Sequence, residues 1–320
     1  MKYLANKFFL LIIFYFLKTS NKINLPNKIL VKKVLVKDLL YEMEILYPQL
    51  AKKARAGNFI ILRLYDKGER FPLTIADYDR ERGTITIVFQ VVGKSTKLLS
   101  LLEVGDEILD IVGPLGNPIK IEKYKYPVVI VGGGVGIAPC YPQAKELKDA
   151  GNKIYSIIGA RTKELIFWRE KMSSVSDRLI ICTDDGTEGI KGVVTEPLKR
   201  IISEEPISLV IAIGPLIMMK FVALTTSGIE GLPRIKTMVS LNPIMVDGTG
   251  MCGGCRFATK SGEIYFACVD GPDVDGHIVD FDNLIKRSMR FRDYEKKAME
   301  YIDEGCLALR KFRNREINNS

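Results

Sequence analysis

The sequence predicts a β barrel followed by an α/β domain and a small cysteine-rich segment. Three observations lead to this prediction. Short runs of aliphatic and β-branched residues follow one another from residue 29 without a long helix between them, strands and helices alternate after residue 126, and three cysteines lie close together between residues 252 and 268. This order of elements is typical of an antiparallel barrel joined to a doubly wound parallel sheet.

The first part of the chain has the pattern of an antiparallel barrel. Turn-forming residues separate its short apolar runs, namely Pro48, Gly57, Gly68 and Gly83. Apolar runs bounded by such residues predict strands. The predicted strands are residues 29–36, 39–46, 59–64, 84–92 and 107–112, with one short helix at 96–102.

From residue 126 onward the pattern is that of alternating strands and helices. The predicted strands are residues 128–131, 153–158, 178–183 and 209–213, and the predicted helices are residues 141–150, 163–172, 194–203 and 216–226. Strands that alternate with helices in this way predict a parallel sheet covered by helices on both faces. These patterns divide the chain into five parts. They are an extension at 1–27, a barrel at 28–122, an α/β domain at 123–235, a cysteine-rich segment at 236–282 and a helical tail at 283–320.

Charge is concentrated at the amino-terminal end. The net charge is +9, but residues 1–37 contain eight lysines and no acid, which leaves about +1 for the remainder. The nearly neutral body predicts no nucleic-acid partner. The ten apolar residues 8–17 are about half of the roughly 20 that a bilayer crossing needs. Residues 1–27 have three interpretations. The first in rank is an artefact of an upstream start codon, the second is a peripheral membrane anchor and the third is a cleaved signal.

A glycine-rich turn follows the first strand of the α/β domain and precedes its first helix. Glycines there let a pyrophosphate approach the backbone, and the helix start offers free N–H groups. Loops rich in Gly, Pro and Asp also follow the third and fourth strands, at the sheet edge where ligands of open α/β sheets bind. The predicted nucleotide site is Gly133, Gly134, Val135, Gly136, Ile137, Asp184, Asp185, Gly214, Pro215 and Met218. An ordinary turn without a ligand is the alternative for each loop.

The most informative pattern in the chain is an aspartate and three cysteines, Asp247, Cys252, Cys255 and Cys268. Their spacing is that of a plant-type [2Fe–2S] site with aspartate in the first position. The glycine-rich loop between them can wrap around a cluster. Zinc held by the three cysteines and His277 is the alternative, although zinc ribbons usually carry two cysteine pairs. In a further alternative Asp247 caps the turn, and Asp270, Asp273 or His277 completes the site.

Three arginines form a small basic group near the carboxyl terminus, Arg287, Arg290 and Arg292. A phosphate site and a solvated helix face are the two interpretations, and the sequence favours the solvated face. Residues 283–310 are charged and helix-prone, with a predicted buried stripe of Leu284, Ile285, Ala298, Tyr301 and Ile302.

The order of barrel, nucleotide fold and cysteine loop resembles the ferredoxin-NADP reductase superfamily. More narrowly, residues 28 to about 285 resemble the small subunit of the NADH-dependent ferredoxin:NADP oxidoreductase and sulfide dehydrogenase group. The motifs that carry the likeness are residues 69–77, 93–96, 132–139, 212–219, 246–256 and 266–271. By this resemblance FAD contacts Arg70, Pro72, Leu73, Thr74, Phe89, Gln90, Gly93, Ser95 and Thr96. Arg70, Ser95 and Thr96 would hold its pyrophosphate, and Thr74 would lie near the flavin ring.

The resemblance implies an electron-transfer subunit. It implies FAD, a [2Fe–2S] cluster and NAD(H) or NADP(H) as cofactors, a larger flavin and iron–sulfur subunit as partner, and ferredoxin as a further candidate partner. No side chain is required as acid or base. A cytoplasmic location is expected, with membrane association disfavoured. The electron-transfer subunit of dihydroorotate dehydrogenase is the alternative, but Asp247 stands where that subunit has a fourth cysteine, which favours the first group. A non-enzymatic zinc-binding interaction module is the further alternative.

Overall fold

A computed structural model describes residues 27–229 and 231–300. The predicted extension at 1–27 lies outside the described residues apart from Asn27, as do Tyr301 and Ile302 of the predicted stripe. None of the helices in the described ranges combines the length and the apolarity that a bilayer crossing requires.

Two antiparallel sheets form the barrel. The strands are β1 (Lys28–Val36), β2 (Leu40–Leu46), β3 (Phe59–Arg63), β4 (Phe71–Thr74), β5 (Asp77–Asp79), β6 (Thr84–Gln90) and β7 (Asp110–Leu115), with helices α1 (Pro48–Lys53) and α2 (Lys94–Ser100). The sheet orders are β1-β2-β6-β5 and β4-β3-β7. Their inward side chains, among them Met43, Ile45 and Leu62, are fully buried between the sheets. Helix α1 and strands β4 and β5 were not predicted, because elements this short show no periodicity.

A seven-stranded sheet forms the α/β part. Its elements are β8 (Val128–Gly133), α3 (Ile137–Asp149), β9 (Ile154–Ala160), α4 (Arg169–Ser174), β10 (Arg178–Thr183), β11 (Ile190–Lys191), α5 (Thr195–Glu204), β12 (Leu209–Ile213), α6 (Leu216–Thr225) and β13 (Thr237–Ser240). The sheet order is β11-β10-β9-β8-β12-β13-β16, where β16 is Asp273–Asp275. All pairs are parallel except β13 with β16. The predicted doubly wound sheet is therefore present.

The cysteine-rich segment is joined to this sheet. It contributes β13 and β16 to the sheet edge, and only the hairpin of β14 (Arg256–Ala258) and β15 (Ile264–Phe266) stands apart. Two helices follow, α7 (Phe281–Ser288) and α8 (Arg292–Glu300). Leu284 of α7 is buried, whereas α8 has no buried residue. The buried side chains of the segment, such as Phe257 and Cys268, belong to the same apolar cluster as those of the sheet, so the edge of the nucleotide fold holds the segment.

One predicted helix is wrong. Residues 163–172 form a single 3-10 turn and then α4, because Trp168 between them has a left-handed backbone with φ of 53°. Its indole Nε1 donates to Glu42 of the barrel at 2.8 Å, and the ring packs edge-on against Tyr141. A local pattern could not reveal this break, because a contact with another part of the chain stabilises it.

Candidate functional site

Glycines bring two loops together at the carboxyl edge of the parallel sheet. A Cβ on Gly136 would overlap the carbonyl oxygen of Ile213, and a Cβ on Gly133 would overlap the sulfur of Met218. A Cβ on Gly214 would lie 3.0 Å from the carbonyl oxygen of Gly133. The loops after β8 and β12 therefore pack this closely only because glycine occupies these positions.

No side chain caps the start of α3, where the N–H of Ile137 already donates to the carbonyl oxygens of Gly134 and Val135 and the donors on offer are those of residues 134–136. A 3-10 turn at Gly134–Gly136 leads into the helix. Gly134 has φ of +54°, and an added Cβ there would meet nothing within 4 Å. Unpaired N–H groups at a helix start with open space before them suit a pyrophosphate. Val135 is half-buried and Ile137 is buried, so these two residues contribute main chain rather than side chain.

The loop after β10 is exposed at the same edge. Asp185 Oδ1 accepts from the Thr187 backbone N–H at 2.9 Å and from the Thr187 hydroxyl at 2.7 Å. These hydrogen bonds hold the pKa of Asp185 below its ordinary value, the hydroxyl having the larger effect. The Asp185 carboxylate stabilises its own turn here, while Asp184 is exposed beside it.

The predicted flavin residues lie along β4, β6 and the start of α2. Thr74 ends β4 opposite Phe59, and Arg70 is exposed just before that strand. Pro72, Leu73 and Gln90 are half-buried. The Thr96 hydroxyl accepts from the N–H of Gly93 at 3.2 Å, which fixes the turn before α2. The Ser95 hydroxyl donates to Glu69 Oε2 at 2.5 Å, so a phosphate there would have to replace Glu69 as its partner.

Phe89 lies in the core and not on the ligand face. Its ring is 1% exposed and stacks on Tyr41 with centroids 5.7 Å apart. Only the main chain of Phe89 remains available for a ligand contact. Side chains alternate in direction along a strand, so the inward position of Phe89 places its neighbour Gln90 on the other face.

The loop from Asp247 to Cys255 wraps around the cysteine site with three residues in left-handed conformations, Gly248, Gly250 and Gly253. The Asp247 carboxylate accepts from the N–H of Thr249 at 2.7 Å and from the N–H of Cys252 at 2.5 Å. These backbone hydrogen bonds, that from Thr249 first, hold the pKa of Asp247 below its ordinary value. Asp247 is therefore an ionised carboxylate within the cysteine loop, and here it caps the turn.

The three cysteine thiols have the surroundings of a thiolate-ligated cluster. Cys255 Sγ lies 3.2 Å from Cys268 Sγ, and both residues are buried, whereas Cys252 is exposed. The N–H of Gly254 points at Cys252 Sγ at 3.4 Å. Burial raises the pKa of Cys268 to about 12, and the hydrogen bond with the Cys255 thiol adds to this effect. Metal ligation removes such protons, and N–H groups directed at sulfur suit iron–sulfur clusters, so these residues fit a [2Fe–2S] group.

His277 has a different partner. Its Nε2 lies 2.9 Å from the carbonyl oxygen of Ile235. Within 27–229 and 231–300, no three His, Cys, Asp or Glu side chains are arranged around a single-ion site.

Comparison with known proteins places both regions in described families. Residues 130–223 match the oxidoreductase NAD-binding domain, and residues 242–280 match the iron-sulfur cluster binding domain of dihydroorotate dehydrogenase B. The Thermotoga maritima homologue of the dihydroorotate dehydrogenase B (NAD(+)) electron transfer subunit is 50% identical over 271 residues, 85% of this chain and 94% of its own length. The chain belongs to this electron transfer subunit family. The resemblance inferred from the sequence is thereby confirmed, and the family's proteins are subunits of oxidoreductases.

Other members and solved structures extend the comparison. A probable family member from Methanocaldococcus jannaschii is 39% identical over 65% of this chain and 74% of its own length. A subunit structure from a study of the NADH-dependent reduced ferredoxin-NADP oxidoreductase is 47% identical, with a TM-score of 0.81 over 87% of this chain and 98% of that one. The Amycolatopsis cytochrome P450 reductase GcoB, 17% identical with a TM-score of 0.52, shares the fold alone. The predicted fold class is confirmed.

Several contacts that position the site had no signal in the sequence. Gln143 of α3 is 1% exposed and donates to Asp273 Oδ2 of β16 at 2.9 Å, which ties the cysteine segment to the nucleotide fold. Arg256 directly follows Cys255, and its guanidinium lies 3.4 Å from the carbonyl oxygen of Gly253. The only available signal for Arg256 was its place next to a predicted ligand.

Proposed function

We propose that this chain passes electrons from NAD(P)H through FAD to a [2Fe–2S] cluster and on to a larger flavin and iron–sulfur subunit. The main support for the proposal is the chemistry of the cysteine loop. It combines three thiols, two of them 3.2 Å apart, with an ionised Asp247 at the first ligand position of the plant-type spacing. The proposed ligands are Asp247, Cys252, Cys255 and Cys268.

The protein's part in this reaction is binding and orientation. When bound, FAD and the cluster supply the hydride and one-electron chemistry. The N–H groups of residues 134–136, at the start of α3, would hold the nucleotide pyrophosphate, with Gly214, Pro215 and Met218 forming the opposite wall. The Arg70 guanidinium matches phosphate oxygens as a planar fork. The Thr74 hydroxyl, at the end of β4, would hydrogen-bond the flavin ring.

The complex that this subunit serves is proposed to be of the ferredoxin:NADP oxidoreductase type, with ferredoxin as a further candidate partner. Asp247 supports this choice, because it replaces the cysteine expected of a four-cysteine site. A dihydroorotate dehydrogenase complex is the second candidate, since the T. maritima homologue is named for that enzyme. We propose a cytoplasmic location, because buried thiols outside the proposed cluster site, Cys140 and Cys182, form no disulfide and suit a reducing compartment.

A visible spectrum, metal analysis and an activity measurement test the proposal together. The purified chain is expected to show flavin and iron–sulfur absorption, to contain two iron atoms per chain and to oxidise NADH with an artificial acceptor. Cys255→Ser should lower the iron content while FAD remains bound, because the proposed flavin residues lie on the barrel. A colourless chain that holds one zinc ion would refute the proposal and support the interaction-module alternative.

A further inference from the structure

The hairpin of β14 and β15 and helix α7 border a small, half-open pocket whose lining includes three arginines. It has a volume of about 230 Å³, and its lining includes Arg256 of β14, Arg287 of α7 and Arg290 just beyond α7. Phe257 forms a buried apolar part of the wall, and Ile264, 52% exposed, stands at the rim. We call Arg256, Arg287 and Arg290 the arginine pocket.

Within residues 27–229 and 231–300, no acidic side chain neutralises the charges of the arginine pocket. Among the described residues no carboxylate lies within 4.0 Å of any of the three guanidinium groups, whereas Arg82, Arg169 and Arg178 each have one. Burial, and then repulsion from Arg256 and Arg290, lowers the pKa of Arg287. The nearby Asp282 is paired with Lys220 at 2.7 Å. The three like charges repel one another, and an anion held between them would reduce this repulsion.

Two arginines of the arginine pocket contact the cysteine loop. Arg256 lies 3.4 Å from the carbonyl oxygen of Gly253, and Arg287 lies 3.4 Å from that of Gly254. Gly253 and Gly254 are the two residues between Cys252 and Cys255. An anion held in this pocket would therefore lie beside the loop that is proposed to ligate the cluster.

The size and the chemistry of the pocket indicate which kind of group would bind there. A volume of about 230 Å³ is below the roughly 300–1,000 Å³ of sites for drug-sized ligands, and it suits a group of the size of one side chain. Guanidinium groups bind planar carboxylates through two parallel hydrogen bonds. The apolar wall of Phe257 and the exposed Ile264 suit the methylene groups of an acidic side chain.

We propose that the arginine pocket receives an acidic side chain of the larger partner subunit and so orients that subunit on the cluster. This inference rests on the proposed function, in which electrons leave the chain from the cluster. A charge pair beside the loop would favour a docking geometry with the cluster close to the partner's acceptor. The two positions outside the cysteine loop, Arg287 and Arg290, can be changed without touching a proposed ligand.

The test is the affinity of the FAD- and cluster-loaded chain for the separately purified large subunit of its native complex. Arg287→Glu and Arg290→Glu should each weaken binding about 10- to 100-fold, because a charge pair becomes a repulsion. Arg287→Lys should give an intermediate affinity, since it keeps the charge but not the planar fork. The dependence of the affinity on salt should be smaller in the two glutamate variants than in the unchanged chain.

Arg292→Glu is the matched control, because Arg292 is exposed at the start of α8 and does not line the pocket. It should change the affinity less than about threefold. Iron content and visible spectrum are measured for every variant. Loss of iron in parallel with loss of binding would show that the arginines hold the loop instead, and would overturn the inference. Binding of inorganic phosphate through Arg287 with unchanged affinity for the large subunit would also overturn it, while intact flavin, iron and NADH oxidation would leave the proposed function standing.

Discussion

The phenol of Tyr78 donates a hydrogen bond to Glu146 Oε1 at 2.5 Å, which joins the barrel to helix α3 of the nucleotide fold. The same oxygen accepts from the N–H of Ala56 at 2.7 Å. Burial, and then the bond to Glu146, raises the pKa of Tyr78 well above its ordinary value. Because α3 also begins at the glycine turn, this contact sets where that turn stands relative to the barrel.

Removal of the Tyr78 hydroxyl should weaken the contact between the barrel and the nucleotide fold. Tyr78→Phe is expected to lower the free energy of unfolding in urea by about 1–3 kcal/mol, because the Glu146 carboxylate loses the hydrogen bond that the Tyr78 hydroxyl donates to it. Tyr126→Phe is the control, since Tyr126 is 39% exposed, and it should change stability by less than about 0.5 kcal/mol. An equal stability of the two variants would show that the Tyr78 bond contributes nothing to the fold.

Asp247 is predicted to ligate the cluster. Asp247→Cys should retain a [2Fe–2S] cluster with a changed paramagnetic resonance signal and potential, because thiolate is a softer donor than carboxylate. Asp247→Ala should lose or destabilise the cluster.

His277→Ala serves as the control for Asp247, since the ring of His277 contacts the carbonyl oxygen of Ile235, and its iron content should equal that of the unchanged chain. If Asp247→Ala keeps full iron and an unchanged spectrum, Asp247 only caps the turn, as its bonds to Thr249 and Cys252 allow. The fourth ligand would then have to be sought elsewhere.

Arg70 is predicted to hold the FAD pyrophosphate. Arg70→Ala should weaken FAD retention about 10- to 100-fold, because hydrogen bonds to a charged group contribute roughly 1.5–3 kcal/mol. Lys67→Ala, an exposed cation in the same loop, should retain FAD as the unchanged chain does. The measurement is flavin fluorescence released during dilution. Unchanged retention in Arg70→Ala would remove Arg70 from the site.

Asp273 is predicted to make stability depend on pH. Burial raises its pKa to about 6, against the opposing hydrogen bonds from Ser240 and Gln143. The folded chain therefore holds this proton more tightly than the unfolded chain, whose aspartates have a pKa of about 3.9. The stabilising effect of the protonated form is fully present below about pH 4 and is lost as the pH rises through about 6.

Asp273→Asn removes this titration. Between pH 5 and pH 8 the unchanged chain should lose about 1 kcal/mol of unfolding free energy relative to the variant, measured by urea titration at both values. Asp149→Asn, at an exposed position, should follow the unchanged chain within about 0.5 kcal/mol. Parallel pH profiles for the unchanged chain and Asp273→Asn would contradict the prediction.

Some strands and the ligand spacing could be predicted because they depend on local pattern. Strands β10 and β12 have the predicted bounds, since a buried parallel strand is a continuous apolar run. Helix α3 begins at Ile137, four residues before the predicted start, because the glycine turn leads directly into it. The break at Trp168 was missed, since its cause is a hydrogen bond to Glu42 across 126 positions of sequence.

By itself the sequence determined the order of barrel, nucleotide fold and cysteine loop, and the spacing of Asp247, Cys252, Cys255 and Cys268. Both depend on the hydrophobic period and on residue spacing along the chain, which can be recognised from residues close together in sequence. Only the tertiary structure decided which side chains share a surface. It buried Phe89 against Tyr41 and brought Arg287 of a carboxyl-terminal helix to the glycines of the cysteine loop. Such contacts join residues far apart in sequence, because strand pairing and helix packing, and not local pattern, determine which residues meet.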